Sequence, residues 1–286
     1  MVTYDAPPAS NARLLNLSTR ALCQTGDSVL IPGFYIKGAG TKRLLMRAVG
    51  PELGGLGVAP ETVLPDPQMV LKRQSDNAVV ATNDNWGDNT NWTEIRDTAT
   101  ALYAFPLVEG SKSAALLMDL PEGGYTIVSS GKGLETGVSI VELYEANGDA
   151  EAARLINISN RGYVGVGGNV MIPGFYVSPE GARTFLIRAV GPTLAGAPYN
   201  VSGTLADPVL RIFRGDENIL TSDNWGENGD AAQVRATAAA VFAFPLNEGS
   251  NDAAFVVTLP PGGYTVQASG VGSATGVALV EVYLVP

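Results

Sequence analysis

The segment TNDNWGDN, residues 82–89, concentrates side chains that can bind a metal ion or a sugar. It holds three amides, two carboxylates and a tryptophan, and a close copy, TSDNWGEN, stands at 221–228. Calcium takes about six to eight oxygen ligands, and Asp84, Asp88, Asp223 and Glu227 with nearby amide and backbone oxygens supply part of such sets. Calcium is therefore the one cofactor that the sequence suggests.

The same segment admits two other interpretations. Trp86 and Trp225, together with Trp92, are residues of the kind that stack on sugar rings in β-sandwich binding modules. Alternatively, each segment is a glycine-containing Asx turn that starts a helix and tucks its tryptophan beneath that helix. The turn is favoured, because it accounts for every residue type present and because the spacing departs from the D-x-[DN]-x-[DN]-G calcium loop. Trp92, which has Ala231 as its counterpart, is the better candidate for an exposed contact.

Composition excludes several classes of chemistry and of partner. Histidine is absent, which excludes Ser-His-Asp, Cys-His and His-zinc sites. A glycoside hydrolase needs only two carboxylates about 5–9 Å apart, and it stays as the less favoured enzymatic alternative to a protein that is not an enzyme. The formal charge of −10, with no lysine at all in residues 151–286, argues against nucleic acid and anionic lipid. No apolar run approaches the roughly 20 residues needed for membrane insertion.

The chain is an internal duplication. ARLLNLSTR at 12–20 matches ARLINISNR at 153–161, an offset of 141 residues (153 − 12), and IPGFY and RAVGP follow at the same offset. From DNWG at 84–87 and 223–226 the offset is 139 residues (223 − 84). This predicts an N-terminal arm at 1–11, a first repeat at 12–148 and a second repeat at 149–286, as two tandem domains.

The pattern within each repeat is that of short strands separated by Gly, Pro, Asn and Asp, about eight per copy. The predicted fold class is all-β, with two tandem β-sandwich, jelly-roll-like domains. One segment per repeat differs: capping boxes at 91–94 and 230–233 precede apolar residues at helical spacing. Each domain should therefore carry one short α-helix.

Two arginines are predicted to form buried ion pairs. Arg47 and Arg188 lie in apolar strand sequences, and such a charge is compensated only by a partner. Glu142 and Glu281 in the last strand of each repeat, or Asp66 and Asp207 before proline, are the available carboxylates. An anion ligand on the arginine is the less favoured alternative.

The motifs IPGFY, RAVGP, NDNWG, AFPL, GGYT and TGVALVEVY resemble a repeat module of large secreted proteins of Verrucomicrobia-like bacteria, a family without an assigned activity. The later half of each repeat also looks like the jelly-roll sandwiches appended to bacterial secreted peptidases. Both resemblances imply an extracellular accessory or structural module, and neither supplies catalytic residues.

These observations predict a non-catalytic structural or assembly module of the extracellular space or the cell surface. Its expected partners are copies of itself or other surface proteins, and the low lysine content and the abundance of Gly, Thr, Ser and Asn suit an exported protein. A carbohydrate-binding module that holds a polysaccharide is the alternative function. The arm at 1–11 also offers a strand that could add to a neighbouring sheet, as a minority hypothesis.

Overall fold

The structure is a computed structural model that describes residues 13–146, 153–227 and 231–286. The predicted arm at 1–11 and the predicted boundary at 148–149 lie outside these residues. Fourteen strands, all joined in antiparallel ladders, form one continuous hydrogen-bonded system in the described part of the chain. The prediction of an all-β fold is confirmed.

The first repeat supplies six of these strands. They are β1 (Leu14–Cys23), β2 (Ile31–Val49), β3 (Pro67–Arg73), β4 (Val79–Asn83), β5 (Ala114–Gly131) and β6 (Gly137–Glu145). The second repeat supplies β7 (Arg154–Val164), β8 (Ile172–Val177), β9 (Arg183–Val190), β10 (Pro208–Arg214), β11 (Glu217–Ser222), β12 (Ala253–Leu259), β13 (Gly262–Gly270) and β14 (Gly276–Leu284). The numbers differ because β2 and β5 are long, bent strands, whereas the matching segments of the second repeat are each divided in two.

The predicted helices are present as α1 (Trp92–Ala101) and α3 (Ala231–Ala240), and the second repeat adds the single turn α2 (Pro192–Ala195). In α1 the buried side chains are Ile95 and Ala99, which are four residues apart and lie on one face. Each long helix therefore covers apolar surface of the sheet, as its periodicity predicts.

The ladders run across the repeat boundary. Strand β1 pairs with β6 of its own repeat on one side and with β8 of the second repeat on the other. In the equivalent arrangement β7 pairs with β14 and with the first half of β2. Each repeat thus covers a strand edge of the other, and an edge left unpaired would invite association with foreign strands. The tandem units are consequently joined by backbone hydrogen bonds as well as by the chain.

The glycine of the IPGFY motif serves this junction. Gly33 lies opposite Ser159, and a Cβ atom built on Gly33 would lie 2.8 Å from the Ser159 Oγ atom. Gly174 lies opposite Ser18 in the matching ladder, where the corresponding distance is 3.0 Å. A larger residue at either position would force the facing serine side chain to shift.

The hydrophobic core is shared as well. One cluster contains Leu17 and Phe34 from the first repeat together with Ile158 and Phe175 from the second. Two smaller clusters lie on the outer face of the sheets, one beneath α1 and the other beneath α3. The helices and the loops that precede them therefore form a separate layer on the sheet of each repeat. The part of each repeat that carries this layer is called its helix-bearing end. Within the described residues, no helix is long and apolar enough to cross a membrane.

Candidate functional site

The loop at 82–89 lies along the outer edge of β5. The side chain of Asn83 accepts a hydrogen bond from the Ala115 backbone N–H at 2.9 Å, and Asn89 donates to the Ala115 carbonyl at 3.0 Å. The Trp86 backbone N–H donates to the Ser113 carbonyl at 2.7 Å. Because an edge strand presents unpaired backbone groups, these contacts replace the ladder that another strand would supply.

The second repeat covers β12 in the same way with different side chains. Ser222 stands at the position of Asn83, and its hydroxyl accepts from the Ala254 N–H at 3.2 Å and donates to the Ala254 carbonyl at 3.0 Å. The Trp225 backbone N–H donates to the Asp252 carbonyl at 2.9 Å. Both loops thus supply hydrogen-bond partners to the backbone groups of a sheet edge.

Two of the predicted sugar-stacking residues are buried. Trp86 and Trp225 are each 2% exposed, and their indole N–H groups donate to the Val108 carbonyl and the Ser250 hydroxyl at 3.1 and 3.2 Å. Stacking on a sugar needs a broadly exposed ring face, which a side chain with 2% exposure lacks, so the stacking prediction is wrong for these two residues. Trp92 is partly exposed, with its ring edge-on to Trp86 and the Arg96 guanidinium 5.4 Å from its centroid.

The predicted calcium ligands have other contacts in the first repeat. The Lys132 ammonium binds the Asp84 carboxylate, and this hydrogen bond and charge raise the pKa of Lys132. Asp88 accepts a hydrogen bond from the Asn85 side chain at 3.0 Å. In the described residues, no three His, Cys, Asp or Glu side chains are grouped as metal ligands.

The second repeat differs in charge. Val271 and Asn251 stand where the first repeat has Lys132 and Lys112. Burial, and then the charges of Asp223 and Glu227, raise the pKa of Asp207. Calcium binding by either loop stays a prediction, which melting in calcium and in EDTA tests: equal melting temperatures would contradict it.

The capping box at 91–94 is wrong in detail. The Asn91 side chain makes no cap hydrogen bond, and its amide donates to the Leu117 carbonyl at 3.4 Å instead. Glu94 extends to Arg43 on the sheet. Both side chains therefore fasten the helix to β2 and β5 rather than closing its first turn. Asp230, which begins the second box, lies outside the described residues.

Arg47 lies against Glu142, and Arg188 lies against Glu281. Both arginines are fully buried, and each donates from Nε to its glutamate, at 2.8 Å and 2.9 Å respectively. Asp66, the alternative partner, instead accepts from Lys112 at 2.8 Å. The pairs lie on the face that the helical layer covers, so they are enclosed parts of the structure.

Each arginine is completed by a backbone carbonyl and aromatic rings. Nη1 of Arg47 donates to the Phe105 carbonyl and Nη1 of Arg188 to the Phe244 carbonyl, both at 2.6 Å. Each guanidinium lies 4.4 Å from the centroid of the same phenylalanine. The arginine therefore ties the segment that follows the helix to the sheet.

The prominent exposed residues were not singled out by the sequence patterns. Tyr103 is 97% exposed and Phe242 is 94% exposed, and they occupy equivalent positions just after α1 and α3. Both have left-handed backbone angles, with φ of 55° and 57°. The available signal was an aromatic residue in both repeats where a helix usually ends on glycine.

The hydrogen bonds explain these angles. The Ala104 N–H donates to the Ala99 carbonyl at 3.0 Å, and the Ala243 N–H donates to the Ala238 carbonyl at 2.9 Å. Each is the 6→1 bond of a Schellman motif. This motif places the residue after the C-cap in the left-handed region. An aromatic side chain there points away from the helix and into solvent.

A cavity of about 240 Å³ lies beside α3, between the helix and the segment that follows it. Its lining includes Trp225, Ala238, Ala243 and Leu246. The cavity is therefore mainly apolar, and it lies next to the residue that carries the exposed phenyl ring.

Comparisons with known proteins give no family. No family model matches the chain, and no curated protein matches it. Among solved structures, a DUF4785 family protein from Legionella pneumophila is 8% identical, with 98% of this chain and 88% of that chain covered, at a TM-score of 0.25. PNGase F, a glycosylasparaginase from Flavobacterium meningosepticum, is 8% identical, with 93% and 96% covered, at a TM-score of 0.21.

Proposed function

We propose that this chain is a non-catalytic structural and assembly module of the extracellular space or the cell surface. In this proposal, its protein contacts are made at the helix-bearing end of each repeat. The observation that carries the proposal is the pair of exposed aromatic side chains, Tyr103 and Phe242.

The backbone conformation of these two residues costs folding free energy, and their side chains bury little surface. A left-handed backbone costs a residue other than glycine roughly 1–2 kcal/mol. Side chains that are 97% and 94% exposed recover almost nothing of this by packing. An exposed aromatic residue with a left-handed backbone follows the helix in both repeats, so it is a feature of the module and not of one copy. Exposed aromatic rings are the side chains that most often anchor protein contacts.

The junction between the repeats supports an assembly role. Because β1 pairs with β8 and β2 pairs with β7, the two helix-bearing ends are fixed to one sheet system. Contacts made at the two ends are then held at a constant spacing, which a flexible linker would not give. The duplicated glutamates Glu142 and Glu281 are engaged by buried arginines, which supports a structural role for them. The extracellular location rests on composition and on the resemblance to secreted repeat modules.

The test is a double variant, Tyr103→Gly/Phe242→Gly. Glycine relieves the left-handed strain, so the melting temperature should stay equal or rise, while self-association measured by light scattering should fall. Leu134→Ala is the matched control, because Leu134 is 83% exposed in the segment between β5 and β6 and belongs to neither helix. Association that is equally strong in the double variant would contradict the proposal.

The carbohydrate alternative is tested separately through Trp92. A glycan array probed with the wild-type chain and with Trp92→Ala should show no specific retention if the module assembles only with protein. Retention that disappears in Trp92→Ala would replace the assembly role with sugar binding. The double glycine variant retains Trp92, so it should behave as wild type on the array in that case.

A further inference from the structure

We infer that the second repeat docks against a second copy of this chain, with Phe242 of each copy seated in the cavity beside α3 of the other. This inference rests on the proposed function and deepens it by naming the partner and the residue pairing. It concerns the second repeat alone, so the first repeat supplies an internal comparison.

The size and lining of the cavity suit a single aromatic ring. Its volume of about 240 Å³ lies below the roughly 300–1,000 Å³ that is usual for small-molecule sites. Trp225 and Leu246, both nearly buried, contribute apolar walls, and Ala238 and Ala243 leave the space open. A phenyl ring that enters this space exchanges water for contacts with these apolar side chains.

The ring and the cavity belong to neighbouring residues of the chain. Phe242 directly precedes Ala243 and follows Ala239 by three residues, and both alanines line the cavity. Yet the phenyl ring is 94% exposed, so it does not fill the cavity of its own chain. A projection beside a matching recess is what a two-fold interface requires, because each copy then fills the recess of the other.

Charge favours this face over the equivalent one in the first repeat. Helix α1 carries Glu94 and Asp97, and α3 has Gln233 and Ala236 at those positions. For a chain with a formal charge of −10, self-association is least opposed where carboxylates are missing from the surface.

The charges that remain at the rim of the cavity are complementary. Arg235 and Glu248 line it and pair with each other at 2.8 and 2.7 Å, with side chains that are 49% and 68% exposed. A two-fold axis beside the cavity brings Arg235 of one copy towards Glu248 of the other. In the first repeat Arg96 binds Asp97 instead, so that arrangement is specific to the second.

The experiment removes the projection and the recess separately. Phe242→Gly removes the ring, and Ala239→Phe places a ring of the same chain over the cavity from an exposed helix position. The wild-type chain should have the mass of two chains in sedimentation equilibrium. Each variant should have a dissociation constant raised at least about 30-fold, because a pair of identical variant chains loses both ring insertions and one central anchor alone is worth about that much.

Mixing the two variants provides the decisive arm. A pair of Phe242→Gly chains has no ring to insert, and a pair of Ala239→Phe chains has no open cavity. A mixed pair retains one intact ring and one intact cavity, so mixing should restore part of the association. Melting curves establish that each variant is folded.

Several results would overturn the inference. They are a wild-type chain that stays monomeric at all concentrations, growth beyond two chains, a Phe242→Gly variant that remains associated, and a mixture no tighter than its components. Association that is lost in Tyr103→Gly but kept in Phe242→Gly would overturn this pairing and leave the proposed function standing. Loss of the proposed function itself would show as association unaffected by both glycine substitutions.

Discussion

Asp252 accepts a hydrogen bond from the Thr193 hydroxyl, at the two positions where the first repeat has Ser113 and Glu52. In the first repeat Ser113 donates to the Glu52 carboxylate, so the carboxylate and the hydroxyl have exchanged places between the copies. Asp252 is fully buried and also accepts from the Gly191 N–H at 2.8 Å and the Ser250 hydroxyl at 2.7 Å. Both repeats therefore place one carboxylate at this point, from the segment just before β12 in the second repeat and from the turn that follows β2 in the first.

This exchange predicts a strong coupling between the two positions. Asp252→Ser alone leaves buried donors without an acceptor and should cost roughly 1–3 kcal/mol of unfolding free energy. Thr193→Glu alone places a second carboxylate beside a buried one and should cost at least as much. The double variant Thr193→Glu/Asp252→Ser rebuilds the pattern of the first repeat, so urea unfolding should show a favourable coupling of about 1–3 kcal/mol. Additive losses would contradict this explanation.

The buried pair Arg188–Glu281 should be far more sensitive than an exposed pair. Arg188→Met leaves Glu281 charged and enclosed, and the Phe244 carbonyl loses its donor, so we expect a loss of about 3–5 kcal/mol. Replacing both members with apolar residues, as in Arg188→Met/Glu281→Leu, should recover part of this loss.

The control is Arg235→Met, which breaks the ion pair with Glu248 at the surface and should change the unfolding free energy by no more than about 1 kcal/mol. Unfolding is followed at low protein concentration, where association does not add to stability. An equal effect of the two single substitutions would contradict the structural role assigned to Arg188.

The side-chain amide of Asn83 should stabilise the fold by pairing with backbone groups at the edge of β5. Asn83→Ala removes the acceptor of the Ala115 N–H and should cost roughly 1–3 kcal/mol. Asn83→Ser imitates Ser222, whose hydroxyl serves the equivalent Ala254, and should lose less. Hydrogen exchange of the Ala115 amide measures the effect directly, and unchanged protection in Asn83→Ala would contradict the edge-capping role.

The sequence was sufficient for the features that depend on local chemistry. Strand periodicity, the duplication and the helix after each DNWG loop followed from alternation and spacing, because these patterns report which face of an element is buried. The buried ion pairs of Arg47 and Arg188 were also predictable, because a charge within an apolar strand sequence needs a partner. The turn interpretation of TNDNWGDN was favoured because local turn chemistry accounts for every residue type in that segment.

The long-range pairing was not predictable in this way. The IPGFY strands of the two repeats are identical in sequence, so β1 has no local reason to choose the copy in β8 over its own. The glycine–serine pairs do not decide it either, because Gly33 opposite Ser159 and Gly174 opposite Ser18 are equivalent pairs, so only the assembled register shows which copy each strand joins. Likewise, Tyr103 and Phe242 look like ordinary apolar residues until their backbone angles are known.

The two Asp-Pro aspartates should respond to substitution with opposite signs at neutral pH. Asp207 has a raised pKa, caused by burial and then by the charges of Asp223 and Glu227, so its ionised form opposes folding. A raised pKa means that its favourable contribution is present below the unfolded value of about 3.9 and is lost as the pH rises through the folded value. Asp207→Asn should therefore raise the melting temperature at pH 7 and should have little effect at pH 3.

Asp66→Asn is the matched control. Asp66 is buried and accepts a hydrogen bond from the Lys112 ammonium at 2.8 Å, so its loss should lower the melting temperature at pH 7. In the second repeat Asn251 takes the place of Lys112, and Asn251→Lys should reduce the gain obtained from Asp207→Asn because a cation then offsets the nearby carboxylates. Melting curves of these variants at both pH values make the comparison. A fall in melting temperature for Asp207→Asn at pH 7 would show that the carboxylate stabilises the second repeat, contrary to the charge balance described here.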